Sequence, residues 1–207
     1  MLKISKKSLS VLIIVLGVCV VFAVQAAKPK KKEVVDVPSP RSIGPSKAPI
    51  QITEFIDFQC PACAKGAIYL KKLRQEHPKA IRLQMKYFPL SMHKFGFISA
   101  EYAECAARQG KFWSFQDNLV ERQSQWSNLL DVKSVFEIMA IESNVDLKTL
   151  RTCLEDKSVK EQVEKDQEEG KIFGVSSTPT YFINNKMVVG SKLLEDEMIL
   201  LLKDEKK

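Results

Sequence analysis

Two cysteines separated by two residues are the side chains best placed to do chemistry. Cys60 and Cys63 lie in the sequence Cys-Pro-Ala-Cys, a spacing that can close a small disulfide ring. A cysteine that caps the start of a helix receives backbone N–H groups and the positive end of the helix dipole, so the pKa of its thiol falls below about 8.5. We therefore predict that Cys60 is the nucleophile and that Cys63, one helical turn inward, is the shielded sulfur that closes the ring. A disulfide that opens to a stabilised thiolate is an oxidant.

Two other roles fit the same pair of sulfurs. The pair resembles half of a zinc site, but tetrahedral zinc needs four ligands. The chain has no second Cys-x-x-Cys and only two histidines, His77 and His93. A purely structural disulfide is the remaining alternative.

A strand, a helix and a second strand are predicted to position the cysteines. Residues 49–58 are rich in β-branched and aromatic side chains and contain no glycine, which is typical of a strand buried on both faces. Pro61 occupies the helical position that best tolerates proline, and the helix is expected to end at His77, before Pro78. Residues 80–88 alternate apolar with polar side chains and predict the second strand. The cysteines therefore open the helix of a βαβ unit.

The rest of the chain predicts a group of helices followed by a hairpin. Residues 91–173 carry apolar side chains at helical spacing, with Gly110 and Gly170 expected to end helices. Residues 180–183 and 187–190 predict two strands joined by a turn, and a last helix follows over about 194–203.

Length and charge limit the classes of protein to which the chain can belong. Its 207 residues suit one domain of ordinary size, or one with an insertion, and its globular composition excludes collagen and coiled-coil arrays. The formal net charge is +7, but residues 1–32 hold seven lysines and no acidic residue. Residues 33–207 carry 25 basic and 25 acidic groups. We therefore expect no nucleic acid partner, because the folded part has no excess charge to attract phosphates.

Residues 1–27 have the composition of an export signal. Lysines precede an apolar stretch over residues 11–24, and the small residues Ala26 and Ala27 follow it. The alternative is an uncleaved anchor in the inner membrane over residues 9–27, because the lysines just after the cleavage position resist translocation. Residues 28–47 are rich in lysine, proline and serine and predict a linker. A cleaved signal and an uncleaved anchor both place the domain outside the cytoplasm, in the periplasm.

The remaining cysteines are expected to pair with each other. Loss of Cys19 with the signal leaves four cysteines in an oxidising compartment, and four cysteines allow three pairings. If Cys60 pairs with Cys63, then Cys105 is left for Cys153 as a structural disulfide. The alternative is two buried free thiols, since both lie on apolar helix faces.

Three segments together resemble the DsbA-like thiol:disulfide oxidoreductases of the thioredoxin superfamily. They are residues 54–63 with the two cysteines, residues 109–113, and residues 174–184 with Thr178 and Pro179. The match covers about residues 45–205. It implies an α/β thioredoxin fold, in which a central mixed β-sheet flanked by helices carries an inserted helical subdomain. The thioredoxin-like domain is then formed by residues 48–90 and 171–207, and the helical insertion by residues 91–170.

The resemblance also implies roles for individual residues. Cys60 is then the attacking cysteine, Cys63 its partner, and Pro179 a cis-proline that faces the disulfide. The residues expected to contact a substrate chain are Thr178, Pro61 and Ala62. Judged without the resemblance, a trans proline in a loop is the commoner arrangement.

Glu54 is a candidate proton carrier. In the first strand it shares a face with apolar side chains, so if the strand is central its carboxyl is buried and its pKa rises. Such a group can relay a proton to or from Cys63. The family has an acidic residue at the matching position, and Lys86 on the neighbouring strand resembles its charge partner. The alternative is a glutamate exposed to solvent on an edge strand.

The resemblance implies an exported dithiol oxidase that donates the Cys60–Cys63 disulfide to reduced proteins folding in the periplasm. It further implies a monomer without a bound cofactor or metal, reoxidised by a quinone-linked membrane partner of the DsbB-like or VKOR-like type. Ala62 stands where the family's strong oxidant has a histidine, and oxidants, reductants and isomerases all carry a threonine before the cis-proline. A reductase or isomerase therefore stays open. A non-catalytic surface protein, or one that carries a metal such as copper between the two cysteines, is the alternative from another class.

Overall fold

The computed structural model describes residues 39–204, which form a mixed sheet flanked by helices. The strands of this part of the chain are β1 (Ser42–Ile43), β2 (Ile50–Ile56), β3 (Ile81–Tyr87), β4 (Thr180–Ile183) and β5 (Lys186–Val189). Its α-helices are α1 (Pro61–Glu76), α2 (Gly96–Arg108), α3 (Phe112–Glu121), α4 (Gln123–Trp126), α5 (Lys133–Glu142), α6 (Leu147–Leu154), α7 (Lys157–Ile172) and α8 (Ser191–Asp204). A 3-10 turn, Ser39–Arg41, precedes β1. The predicted α/β class with a central mixed sheet is confirmed.

Strand β2 lies at the centre of the sheet, whose strand order is β1-β3-β2-β4-β5. It pairs in parallel with β3 and antiparallel with β4, so that Ile52 lies between Leu83 and Ile183. Parallel strands need a crossover connection, and α1 supplies it between β2 and β3. The βαβ unit predicted from the sequence is therefore confirmed, and it places the end of β2 directly before the start of α1.

The two faces of the sheet carry different chemistry. Glu54 and Tyr181 are cross-strand partners and share one face, where the Tyr181 hydroxyl approaches Gly66 of α1. On the opposite face, the aromatic ring of Phe55 packs edge-on against those of Phe88 and Phe182. Helix α7 covers that aromatic face. The face with Glu54 is the one that adjoins the cysteine-bearing helix.

The helices between β3 and β4 build their own extension of the hydrophobic core. Trp126 and Phe136 are completely buried and meet edge to face, and Phe136 also contacts Tyr102 of α2 in that geometry. Cys105 of α2 and Cys153 of α6 form a disulfide across this group of helices. Helix α7 runs across the boundary expected between residues 170 and 171. It packs both on strand β3 and on helix α2.

Gly170 does not end a helix, contrary to the sequence-based prediction. It lies inside α7, where a Cβ atom would come within 2.7 Å of the Phe88 ring. Gly174 follows the helix with a φ of +84°, the left-handed conformation that glycine supplies at a helix end. Glycine at position 170 therefore serves close approach of the helix to the aromatic face, and Gly174 provides the turn.

The end of the predicted linker is part of the fold. Strand β1 pairs antiparallel with β3, through Ser42 beside Gln84 and Ile43 beside Leu83. The buried guanidinium of Arg41 forms an ion pair with Asp166 of α7 and lies 4.6 Å from the centre of the Tyr87 ring. Those contacts fix residues 41–43 against the sheet, although their composition is that of a linker.

The predicted signal or anchor, residues 1–27, and the first part of the linker lie outside the described residues. Among residues 39–204 no helix combines the length and the apolar character needed to cross a membrane.

Candidate active site

Cys60 lies at the junction between β2 and α1. It is the N-cap residue of α1, in an extended conformation with φ of −75° and ψ of 121°, and Pro61 is the first helical residue. The Cys60 carbonyl accepts hydrogen bonds from the backbone N–H groups of Cys63 at 3.0 Å and of Ala64 at 3.2 Å. Both Cys60 and Cys63 are free thiols in this structure. The start of the helix thus places its positive end beside the first sulfur.

The surroundings of Cys60 favour its thiolate. A hydrogen bond from the Cys63 thiol is the main cause that lowers the pKa of Cys60 to about 5, and the backbone N–H groups of Cys63 and Ala62 add to it, against burial. In its protonated form the Cys60 sulfur donates to the carbonyl oxygen of Thr178 at 3.4 Å. Cys60 is therefore the sulfur that carries negative charge at neutral pH.

Cys63 has the opposite character. Its side chain is completely buried, and burial raises the pKa of its thiol well above the ordinary value. The Cys60 and Glu54 side chains raise it further, while the backbone N–H of Asp57, 3.5 Å from the sulfur, acts in the other direction. One helical turn therefore holds a stabilised thiolate and a shielded thiol.

The segment before β4 faces the cysteines. The Thr178–Pro179 peptide bond is cis, and the Pro179 carbonyl accepts a hydrogen bond from the N–H of Gly190 at 2.8 Å. Thr178 thereby presents its carbonyl oxygen to Cys60. On the other side of the sulfur, Pro61 is exposed and Ala62 is half-buried. The residues expected to contact substrate therefore surround Cys60.

Glu54 is completely buried in β2, which excludes an edge-strand position in solvent. Neither carboxyl oxygen has a hydrogen-bond partner among the described residues. Burial raises the pKa of this carboxyl to about 8, so at neutral pH its protonated form predominates. The carboxyl also raises the pKa of Cys63, which places it within electrostatic reach of that thiol.

Lys86 is not the charge partner of Glu54, contrary to the expectation from the resemblance. The parallel register of β2 and β3 places Met85, not Lys86, beside Glu54, and Lys86 therefore points to the opposite face. There its ammonium group forms an ion pair with Glu169 of α7 at 2.6 Å.

Several residues that support the site were not singled out from the sequence. Asp57 is buried, and its carboxylate accepts hydrogen bonds from the N–H groups of Gln59 at 2.8 Å and Leu90 at 2.7 Å, and lies 2.7 Å from Nδ1 of His93. Gln123 of α4 donates to the Cys60 carbonyl at 3.0 Å. The only available signal was an acidic residue at the carboxyl end of a buried strand, because the partners come from distant segments.

The described residues contain no group of three or more histidine, cysteine, aspartate or glutamate side chains placed to hold a metal ion. The site brings together two thiols with unequal affinity for a proton, a buried carboxyl and an adjacent peptide carbonyl.

Residues 36–202 match a family model described as thioredoxin. "Probable disulfide bond formation protein D" of Bacillus cereus is 26% identical, over 84% of this chain and 84% of that protein. The solved structure of Wolbachia pipientis alpha-DsbA1 superposes with a TM-score of 0.70 at 21% identity, over 82% of this chain and 92% of that one.

Another group of relatives is much longer than this chain. "Na(+)/H(+) antiporter NhaA 3" of Salinispora tropica is 30% identical over 69% of this chain, but the match covers 21% of that protein. The chain thus spans about a fifth of the length of the first curated relatives it matches. From the family model, the fold and the cysteine pair at the start of α1, we conclude that the chain belongs to the thioredoxin family.

Proposed function

We propose that the chain is an exported dithiol oxidase that donates the Cys60–Cys63 disulfide to reduced proteins folding in the periplasm. The observation that carries this proposal is the difference between the two sulfurs, with the pKa of Cys60 lowered to about 5 and that of Cys63 raised. A stabilised thiolate favours the reduced form of the pair, and a pair that prefers to be reduced oxidises other thiols.

The exchange proceeds in two displacements. A substrate thiolate attacks Cys60, so that a substrate–Cys60 disulfide forms while the Cys60–Cys63 bond breaks and Cys63 leaves with the electron pair. Cys63 then takes up a proton. A second substrate thiolate attacks the substrate sulfur of the mixed disulfide, and Cys60 leaves as the thiolate. The substrate has lost two electrons and gained a disulfide, and the enzyme has become a dithiol.

Glu54 is the group that exchanges the proton with Cys63 in this scheme. It is buried, protonated at neutral pH, and within electrostatic reach of Cys63. When Cys63 leaves, the carboxyl supplies the proton, and during reoxidation the carboxylate takes it back. Thr178, Pro61 and Ala62 form the surface that binds the substrate chain beside Cys60.

Compartment and partners extend the proposal beyond the site. The composition of residues 1–27 supports export. The alternative is that residues 9–27 are retained as an anchor in the inner membrane. The reduced enzyme is reoxidised by a quinone-linked membrane protein of the DsbB-like or VKOR-like type, and it works as a monomer without a bound cofactor. A reductase or isomerase reaction remains the alternative, because Ala62 supplies no charge beside Cys60.

The reduction potential of the Cys60–Cys63 pair against glutathione tests the direction of exchange. The variant Cys105→Ala/Cys153→Ala serves as the matched sample, because in it the active-site pair is the only disulfide of the described domain. We expect a potential above about −150 mV, together with oxidation of a reduced model protein. A potential of about −230 mV or below would overturn the oxidase assignment in favour of a reductase. A dimer by light scattering, with faster reshuffling than oxidation of a scrambled protein, would instead indicate an isomerase.

A further inference from the structure

Tyr181 lies beside the buried carboxyl of the active site. It is the direct cross-strand neighbour of Glu54 in the antiparallel pair of β2 and β4, so both side chains project from the same face of the sheet. Like Glu54, Tyr181 is completely buried. It is separated from the cis Thr178–Pro179 bond by Thr180 alone. One end of β4 thus contributes both the segment facing Cys60 and the phenol beside Glu54.

The cysteine-bearing helix leaves room for the Tyr181 hydroxyl. Gly66 of α1 faces it, and a Cβ atom at this position would lie 2.0 Å from the phenolic oxygen. Any larger residue at position 66 would displace the hydroxyl, so glycine at this position allows the phenol to lie here. A helix interior disfavours glycine by about 1 kcal/mol relative to alanine, and close approach of Tyr181 supplies a physical reason for glycine here.

The hydroxyl and the carboxyl are buried on the same face with their hydrogen-bonding capacity unused. Within residues 39–204, neither the Glu54 oxygens nor the Tyr181 oxygen has a partner with full hydrogen-bond geometry. The phenol is nevertheless close enough that hydrogen bonding to it lowers the pKa of Glu54, against the larger effect of burial. A buried donor and a buried acceptor without other partners are strongly driven to pair once the acceptor becomes charged.

Apart from the two cysteines, no charged side chain on the described elements beside Glu54 takes this role. From α1 the titratable groups near Glu54 are Cys60 and Cys63. On β3 the cross-strand neighbour is Met85, and Lys86 points away toward Glu169.

The other elements on this side of the sheet are also accounted for. The buried side chains Leu194 and Met198 of α8 are apolar. Tyr87, further along β3, belongs to a separate buried cluster, because its hydroxyl donates to Glu104 at 3.2 Å and Arg41 lies over its ring.

We propose that Tyr181 is a positioning residue that donates its phenolic hydrogen to the ionised Glu54 carboxylate and thereby sets the pH at which Cys63 gives up its proton. This inference rests on the proposed function for the role of Glu54. In the oxidised enzyme Glu54 is protonated and hands its proton to Cys63 when that sulfur leaves. The phenol then stabilises the carboxylate left behind. In the reverse direction it keeps part of Glu54 ionised, ready to deprotonate Cys63.

Ring closure with oxidised glutathione isolates this step. The Cys60 thiolate attacks glutathione disulfide, a Cys60–glutathione bond forms and one glutathione thiolate leaves. Cys63 then passes its proton to Glu54 and attacks Cys60, the ring disulfide forms, and the second glutathione thiolate leaves with the electron pair. Because Cys60 is already in the mixed disulfide, it does not titrate during ring closure, and the pH profile belongs to Glu54 and Cys63.

The test compares Tyr181→Phe with the unmodified chain, using acid-quenched mass spectrometry of ring closure at saturating oxidised glutathione from pH 5 to 9. Loss of one hydrogen bond to the carboxylate is expected to move the midpoint upward by about 0.4 to 1 pH unit and to slow closure at pH 7 about two- to tenfold. Tyr102→Phe is the matched control, since it removes a phenol from α2 in the helical insertion. In a Glu54→Gln background, Tyr181→Phe should cause no further shift.

A second replacement moves the profile the other way. Substitution of Tyr181 by 3,5-difluorotyrosine keeps the size of the ring and makes its hydroxyl a stronger donor, so the midpoint should move to lower pH. If Tyr181→Phe and the fluorinated variant change thermal stability but leave the midpoint unchanged, Tyr181 only fills space and the proposal is overturned. The reduction potential decides separately whether the protein is an oxidase, so failure of either idea is recognised without the other.

Discussion

Cys60 and Cys63 differ chemically because one sulfur caps a helix while the other lies inside it. Cys60 caps the start of α1, where the N–H groups of Cys63 and Ala62 help to lower its pKa, and 7% of its area is exposed. Cys63 is surrounded by the core and by Glu54. An incoming thiolate can therefore reach only Cys60, and Cys63 reacts only with the Cys60 sulfur once that sulfur is part of a mixed disulfide.

Replacement of Cys63 by serine should trap substrate on Cys60. Without the second sulfur the mixed disulfide lacks its resolving thiol inside the enzyme, so a covalent adduct should accumulate with a model protein that has a single activated disulfide. Non-reducing electrophoresis followed by mass spectrometry detects the adduct. Cys60→Ser is the matched variant and should give none. Equal adduct formation by the two variants would contradict the assignment of Cys60 as the attacking sulfur.

The stability difference between the reduced and oxidised chains should depend on pH. The folded pKa of Cys60, about 5, lies below its ordinary value of about 8.5, so the thiolate stabilises the reduced fold fully above about pH 8.5. That stabilisation is lost as the pH falls through about 5. The raised pKa of Glu54, about 8, has the opposite effect on the pH dependence of stability. Because Glu54 is present in both the reduced and the oxidised chain, its contribution largely cancels in the difference between them.

Thermal unfolding of both forms from pH 5 to 8.5 measures this linkage. The midpoint of the reduced chain minus that of the oxidised chain should increase steadily with pH, whereas the midpoint of Cys60→Ser under reducing conditions, minus that of the same oxidised unmodified chain, should not show this increase. A difference that stays constant over this range would mean that the Cys60 thiolate is not stabilised by the fold.

Single residues were predictable from sequence where the signal was local. The cysteines and the helix start at Pro61 follow from spacing within a few residues, and the structure has Cys60 at the N-cap position. The partner of Glu54 was not predictable, because it depends on how β2 registers with β3 and β4. A shift of one residue in the pairing of β2 with β3 would place Lys86 instead of Met85 beside Glu54. Tyr181, which does lie beside Glu54, is more than 120 residues away along the chain.

At the scale of elements, helix α7 depends on a glycine to reach the sheet. Gly170 is buried where the helix meets the rings of Phe55 and Phe88, and a Cβ atom would lie 3.0 Å and 2.7 Å from them. A glycine in a helical pattern indicates either an end or a close contact, and sequence alone does not distinguish these. The contact comes from residues that are distant in sequence, which is why the prediction of a helix end failed.

Gly170→Ala should destabilise the protein even though alanine is the better helix former. Helix propensity favours the substitution by about 1 kcal/mol, but overpacking against Phe88 costs about 1–3 kcal/mol, so a net loss is expected. Urea unfolding measures it. Lys165→Ala, at an exposed position of the same helix, should change stability by less than about 0.5 kcal/mol. A stabilised Gly170→Ala variant would mean that α7 does not press on the aromatic face.

Strands and helices with a clear periodic pattern were predicted within a few residues. Strand β2 was expected over residues 49–58 and spans Ile50–Ile56, and the last helix, expected over about 194–203, spans Ser191–Asp204. Strand β1 was missed, because two residues after a proline-rich segment carry no alternation, and their pairing depends on the buried contacts of Arg41.

At the scale of the whole molecule, the Cys105–Cys153 disulfide closes the helical insertion. It joins α2 to α6 across a sequence separation of 48 residues. In the chain-entropy model a cross-link over a loop of this length stabilises the fold by up to about 4 kcal/mol. It lies apart from the active-site pair, which belongs to α1.

Cys105→Ala/Cys153→Ala should therefore lower the free energy of unfolding by up to about 4 kcal/mol while leaving the exchange chemistry of Cys60 in place. Urea unfolding and the rate of disulfide transfer to a reduced peptide measure the two quantities in parallel. Cys105→Ala alone is a less suitable comparison, since it leaves an unpaired thiol. A large fall in the transfer rate of the folded double variant would show that the insertion controls the site.

The pairing of β2 with β4 has a consequence for the order of events during synthesis and the proposed export. Ile52 meets Ile183, and Cys60 meets the Thr178 carbonyl 118 residues further along the chain. A chain that enters an oxidising compartment from its N-terminus thus delivers both reactive cysteines long before the segment that faces them. Until residue 183 has followed, Cys60 does not contact the Thr178 carbonyl, and Glu54 does not have Tyr181 as its cross-strand neighbour. Under the proposed export, the chain acquires the redox character of the folded site only once this last segment has arrived. Until then its two cysteines are open to exchange with other thiols.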